Sequence, residues 1–238
     1  MSTLNLLYAK RFAVNNSISI VIPSVGEILD EEDTYYNLIS VLTAMPIDFM
    51  VLLDDAGIDF TTINAFQMFL MLFSGVKEMD TSLVFGDLNL KKFEMAVNEH
   101  NGEIVLLDRE KDIVIDRAIH GQIAGVLRKI HHLEKNYRKP ANEEAKKYML
   151  ERARIKAQRN RNKKVDSRLE QLIVAMVNTE QYKYDFEGTR KLSIFQFNES
   201  VRQIIKKVDY DNRMYGVYSG TINVKELSQD DLNWLSHK

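Results

Sequence analysis

Five histidines and three acidic runs are the side chains whose types and spacing come nearest to reaction chemistry. The histidines are His100, His120, His131, His132 and His237. Neighbours on a helix point about 100° apart, so one helix cannot aim both His131 and His132 at a single ion. Asp116 and His120 stand four apart and can share a helix face, a spacing open to two ligands of one metal. Polar contacts between packed helices explain the same pair without an ion. The acidic runs are Glu31-Glu32-Asp33, Asp54-Asp55 and Asp230-Asp231. Paired acids serve general acid–base catalysis. These fall at expected helix ends and turns, where capping and solvation account for them.

The sequence carries no G-x-G-x-x-G or G-x-x-x-x-G-K-[ST] phosphate loop, no G-x-S-x-G elbow and no H-E-x-x-H helix. It has no cysteine, which removes disulfides, zinc-thiolate sites and thiol nucleophiles. No catalytic residue, metal ligand or cofactor is therefore assigned, and the chain is expected to bind rather than to catalyse.

Two other groups of residues point to binding. The first is the basic run Arg152, Arg154, Lys156, Arg159, Arg161, Lys163, Lys164 and Arg168. Residues 136–170 hold 12 Lys and Arg against 5 Asp and Glu, while the whole chain carries a net charge of −2. Such a stretch is a solvated helix face, a dock for an acidic surface of another copy or partner, or a contact for phosphate backbones. No aromatic residue lies between Tyr148 and Tyr182, so stacking platforms for single strands are missing.

The second group is apolar. Ile63, Phe66, Met68, Phe69, Leu70, Leu72 and Phe73 surround most of one expected helix, which must be buried or covered by a partner. Met45, Met50, Met68 and Met71 lie nearby and would adapt to varied partners. Aromatics also gather in the last quarter, among them Tyr182, Tyr184, Phe186, Phe195, Phe197, Tyr210, Tyr215, Tyr218 and Trp234. Phe66, Phe69, Leu70, Phe73, Tyr215, Tyr218 and Trp234 are the candidate partner-binding residues. Filling a core is the plainer use for the same side chains.

The elements that must position these groups are mostly helices. The chain is 238 residues long with only 3 Pro and 10 Gly, which favours long helices over many short strands. Asn15-Asn16 predicts a hairpin between Arg11–Val14 and Ser17–Ile22. Ser24 with Glu27 predicts a capping box. Helices are expected over Tyr35–Ala44 behind Thr34, from Pro46 to Leu53, and over Ile63–Phe73 behind Thr61 or Thr62. Four short apolar runs, Leu83–Phe85, Phe93–Val97, Ile104–Leu107 and Ile113–Ile115, read as strands, with a hairpin turn at Asn101-Gly102. A small antiparallel meander is expected here, open to extension by the N-terminal hairpin. Helices are then expected over Asp116–Lys135, Ala141–Asn160, Arg168–Asn178, Ser193–Tyr215 and Asp230–Leu235.

The fold class is thus α+β and predominantly α. It divides into an α+β domain over 1–135, a basic helical connector over 136–165 and a helical domain over 166–238. The segment Asn136–Asn142, with Pro140, marks the boundary. Lys10 and Arg11 follow the first apolar patch, the reverse of a secretory order, and no apolar run is long enough to span a bilayer. A cytoplasmic protein with no membrane contact is expected.

The ends of the chain resemble a known family. Ile22-Pro23-Ser24-Val25-Gly26-Glu27-Ile28-Leu29 is similar to the start of bacteriophage tail-assembly chaperones of Gram-positive hosts. Tyr215-Gly216-Val217-Tyr218-Ser219-Gly220-Thr221-Ile222-Asn223, with Leu232-Asn233-Trp234-Leu235, is similar to their ending. The resemblance implies partners rather than substrates: the long, helical, apolar tape-measure protein and the tail-tube subunits, met in the host cytoplasm. It carries no catalytic meaning. A minor structural or adaptor protein of the virion, and a nucleic-acid-binding regulator acting through residues 152–168, are the alternatives.

Overall fold

The computed structural model describes residues 4–99, 101–161 and 167–235. The chain opens with helix α1, Leu4–Tyr8, and then the expected hairpin, in which β1, Arg11–Ala13, pairs antiparallel with β2, Ser19–Val21. Asn15 sets the turn: its side-chain oxygen accepts from the N–H groups of Ser17 and Ile18. Ile18 and Ile20 point into the core. Ser24 caps α2, Val25–Asp30, with Glu27 completing the box. That double contact holds the Glu27 carboxyl below its usual range.

Helix α3 spans Glu32–Thr43 and starts two residues before Thr34, which lies inside it. Pro46 opens a 3-10 turn, Pro46–Phe49, that runs into α4, Met50–Asp55. Helix α5 is Ala65–Val76, and its cap is Asn64 rather than Thr61 or Thr62. The Asn64 side chain accepts from Phe66 and Gln67 N–H, and Gln67 reaches back to the Asn64 N–H. Thr61 and Thr62 instead close a turn on Asp59.

Leu83-Val84-Phe85 is not a strand. It forms α6, Ser82–Phe85, a single turn that buries Val84 and Phe85. Three strands follow in the order β3, Glu94–Val97; β4, Ile104–Asp108; and β5, Ile113–Ile115. The meander is a separate three-stranded sheet, not joined to the N-terminal hairpin. Gly102 adopts φ +70 in the β3–β4 turn, and the Asp108 carboxylate takes the N–H groups of Glu110 and Lys111 in the next.

Asp116 caps α7, Arg117–His131, which His132 ends in a left-handed conformation. An extended strap leads to α8, Glu143–Asn160, capped by Asn142. Ser167 caps α9, Arg168–Val177. Helix α10, Phe186–Lys191, precedes the 25-residue α11, Ile194–Tyr218. Asp230–Leu235 forms turns rather than a helix, and a 3-10 turn lies ahead of it at Val224–Glu226. The protein is thus predominantly helical, with small antiparallel sheets toward its N-terminal side.

The largest apolar cluster draws side chains from both sides of the Asn136–Asn142 segment, from Leu6, Ile20 and Phe69 to Leu169, Phe195 and Phe197. Backbone bonds reinforce it. Val25 N–H donates to Leu192 O at 2.9 Å and Ile194 N–H to Pro23 O at 2.8 Å, so the capping loops of α2 and α11 bridge each other. The Gln196 amide reaches Leu7 O at 2.9 Å, and the Asn198 amide reaches Ile130 O at 3.1 Å.

A second link joins distant elements: Glu32 accepts from the Ser167 hydroxyl and, at 3.2 Å, from Leu169 N–H, where α9 begins. Glu32→Ala leaves these donors unpaired and should lower stability by about 1 kcal/mol, read as a shifted urea midpoint with faster amide exchange in α9.

Candidate functional site

The apolar residues assigned to partner binding on α5 are core. Phe66, Phe69, Leu70 and Phe73 are all buried, with Phe69 2% exposed. Phe66 and Phe69 pack against each other, Phe69 and Phe73 meet edge to face, and the His120 ring stacks on Phe69 at 4.7 Å. A helix apolar almost all round is covered here by its own chain except at Met71, which is 48% exposed. Met45, Met50 and Met68 fill a second, smaller cluster with Ile47, Phe60 and Leu150.

The other histidines are equally engaged. Asp116 caps α7 by accepting from Ile119 N–H, and no cluster of three or more metal-ligating side chains occurs among the described residues. Burial pushes His120 down to about 4, and its Nε2 finds no partner among the described residues. His131 lies under the Tyr35 and Tyr36 rings, with Nε2 2.9 Å from the Tyr35 hydroxyl, and burial pushes it to about 4 as well. His132 stacks on Phe195 and faces Glu199 at 3.5 Å. His100 and His237 lie outside the described residues.

The basic helix α8 docks on acids of its own chain. The Arg154 guanidinium bridges Asp54 and Asp55 at the end of α4. The Lys146 ammonium sits 2.6 Å from Asp59 and, with the Thr61 N–H and hydroxyl, holds that carboxyl at about 2. Leu150 is the buried residue of this contact. Arg152, Lys156, Arg159, Arg161 and Arg168 are exposed, with Arg152 over the Tyr148 ring; Lys163 and Lys164 lie outside the described residues. The pair Asp54-Asp55, considered for acid–base work, is thus an anchor for α8.

The aromatic end of the chain is different. Ile194, Phe197, Val201, Ile204 and Val208 recur at three- and four-residue steps along α11; the polar Asp211 and Asn212 interrupt the stripe, and Tyr215 and Tyr218 resume it on the same face two turns on. It is buried at the start, where Ile194 and Phe197 join the core, and half-buried at Val201 and Ile204. It then emerges: Val208 is 37% exposed, Tyr215 77% and Tyr218 86%. The segment beyond α11 folds back on another side of the helix. Ile222 lies over Gly216, where an added Cβ would stand 2.6 Å from Ile222 Cδ1. Arg213 holds Asp231 at 3.0 Å, and the Lys207 ammonium lies 5.9 Å from the centre of the half-buried Trp234 ring. Of the candidate partner-binding residues, Tyr215 and Tyr218 are the ones presented to solvent, Trp234 partly so.

One feature escaped the sequence reading. The strap between α7 and α8 arches over a cavity of about 660 Å³, bounded by the 3-10 turn at Pro46, the start of α5 and the first turn of α7. The signal for it was present as Lys135, Arg138 and Lys139 on either side of Tyr137, inside the segment taken as a boundary.

Residues 160–238 match the family model described as the YomV second domain. YomV is a Bacillus phage-region protein, so the last third of the chain is similar to a phage-related domain. Neither the curated proteins nor the solved structures gave a match. No helix among the described residues is long and apolar enough to cross a membrane.

Proposed function

We propose that this protein is a non-enzymatic phage assembly factor that binds tail proteins, acting as a chaperone for a long helical partner such as the tape-measure protein. One observation carries the reading: within the region similar to a phage-related domain, the apolar stripe of α11 leaves the core at Val208 and, beyond the polar Asp211 and Asn212, ends in the exposed pair Tyr215 and Tyr218. An amphipathic helix buries its own stripe by lying along another, using contacts at the same three- and four-residue steps. Tyrosine suits such a surface because it covers area with few rotatable bonds and keeps a polar tip in water. The buried α5 face offers no such surface in the isolated chain, so the reading rests on α11.

Co-expression with the phage tail genes, followed by affinity capture of this chain, tests it. A tail protein is expected to be retained in stoichiometric amount. Recovery of the chain alone would remove the proposal. Finding the chain in purified particles by mass spectrometry would favour a virion component over a chaperone that leaves.

A further inference from the structure

The cavity under the strap has an apolar floor and a cationic mouth. Pro46, Ile47, Phe60 and Phe66 line its floor, with His120 among them. Arg117, Arg138 and Lys139 stand at its mouth with no ion-pair partner among the described residues. The one carboxylate in the lining, Glu143, lies 3.8 Å from Lys146, whose ammonium is already held by Asp59. Positive charge is therefore in excess around a hollow that apolar atoms fill best.

We propose that this cavity binds a small organic anion with a ring-sized apolar body and one acidic head group. Its volume falls within the range of roughly 300–1,000 Å³ typical of small-molecule sites. The apolar floor accepts the body, and the free guanidinium and ammonium groups at the mouth accept the head.

A compact ligand fits better than a peptide helix because the strap is tied down at both ends. The Asn136 amide donates to Asp48 at 2.8 Å, and Lys146 holds Asp59 just beyond Asn142. A helix needs an open groove along its whole length. The site is independent of the α11 surface, so either proposal can fail without the other.

Titration with 8-anilino-1-naphthalenesulfonate, an aromatic body bearing one sulfonate, tests the site by fluorescence. One molecule is expected per chain. Gly121 borders the cavity on α7, and a Cβ built there meets nothing within 4 Å, so Gly121→Leu adds bulk at the rim of the hollow without a clash. It should weaken binding about tenfold or more, with the circular dichroism spectrum unchanged.

Should Gly121→Leu fail to fold, the double variant Arg117→Ala with Arg138→Ala decides. It should weaken the sulfonate dye by about tenfold while changing the uncharged analogue N-phenyl-1-naphthylamine less than about twofold. Unchanged affinity in a folded Gly121→Leu, equal effects of the arginine changes on both dyes, or loss of the dye in Tyr215→Ser with Tyr218→Ser instead would each overturn the proposal.

Discussion

Phe69→Ala should lower the stability of the protein by about 3–5 kcal/mol, the cost of removing a buried aromatic and leaving its cavity. Phe69 is 2% exposed, touches Phe66 and Phe73, and carries the His120 ring on its face. The neighbours belong to α5 and α7, two elements that cannot close over the gap without moving the core they share. Urea denaturation followed by circular dichroism measures the loss. The result separates two uses of the same sequence. If the α5 face were a groove kept open for a partner, truncating Phe69 would cost the isolated chain little and the complex much. A shift below about 1 kcal/mol would restore the groove.

Stability should also fall as the solution is made acidic, well before the carboxylates titrate. An unfolded histidine titrates near 6.5, and burial among Phe66 and Phe69 pushes His120 down to about 4. Between those values the unfolded chain binds the proton and the folded chain does not. The contribution is therefore intact above pH 6.5 and is lost progressively as pH drops toward 4. From this group alone the loss is about 2 kcal/mol at pH 5. His131, lowered to the same value beside Tyr35, acts in the same direction.

Urea midpoints at pH 7.5 and pH 5 measure the effect, and His120→Phe should remove about half of it, the rest staying with His131. A midpoint that holds or rises on acidification would show that His120 is not buried as a neutral ring.

Local chemistry was the part of the fold most legible in the sequence. Asn15 and Ser24 with Glu27 act through hydrogen bonds that close within a few residues, Gly102 supplies the positive φ of its turn, and these features form where the residue types require. Competition between neighbouring caps was less legible. Asn64 displaced Thr61 and Thr62 because it reaches two N–H groups at once and Gln67 answers it, while the threonines are taken by Asp59.

Leu83–Phe85 shows the limit of apolar runs. Three apolar residues satisfy a strand or one helical turn equally, and Asp80 accepting from Ser82 N–H tips this segment to the turn. The Asp230–Leu235 segment has caps but no apolar stripe of its own, so Arg213 and Lys207 hold it against α11 as turns.

Surfaces were harder to read because they depend on pairs far apart in the chain. The basic run on α8 was visible as charge, but its acids lie on α4 and in the turn before α5, about a hundred positions away, so its docking within the chain was not. The cavity exists only because the strap crosses Pro46 and the start of α5. The apolar spacing of α11 can be read in the sequence from Ile194 to Val208, yet only the packing shows where it leaves the body.

The central claim is that the bare end of that stripe is where this protein does its work. The most direct measurement is the co-expression capture repeated with Val208→Glu, Tyr215→Ser and Tyr218→Ser combined in one chain. These positions are exposed, so the variant should keep the thermal midpoint of the wild type. The wild type should bring down a phage tail protein, and the variant should lose most of it. Equal recovery by a folded variant would place the binding surface elsewhere and contradict the account.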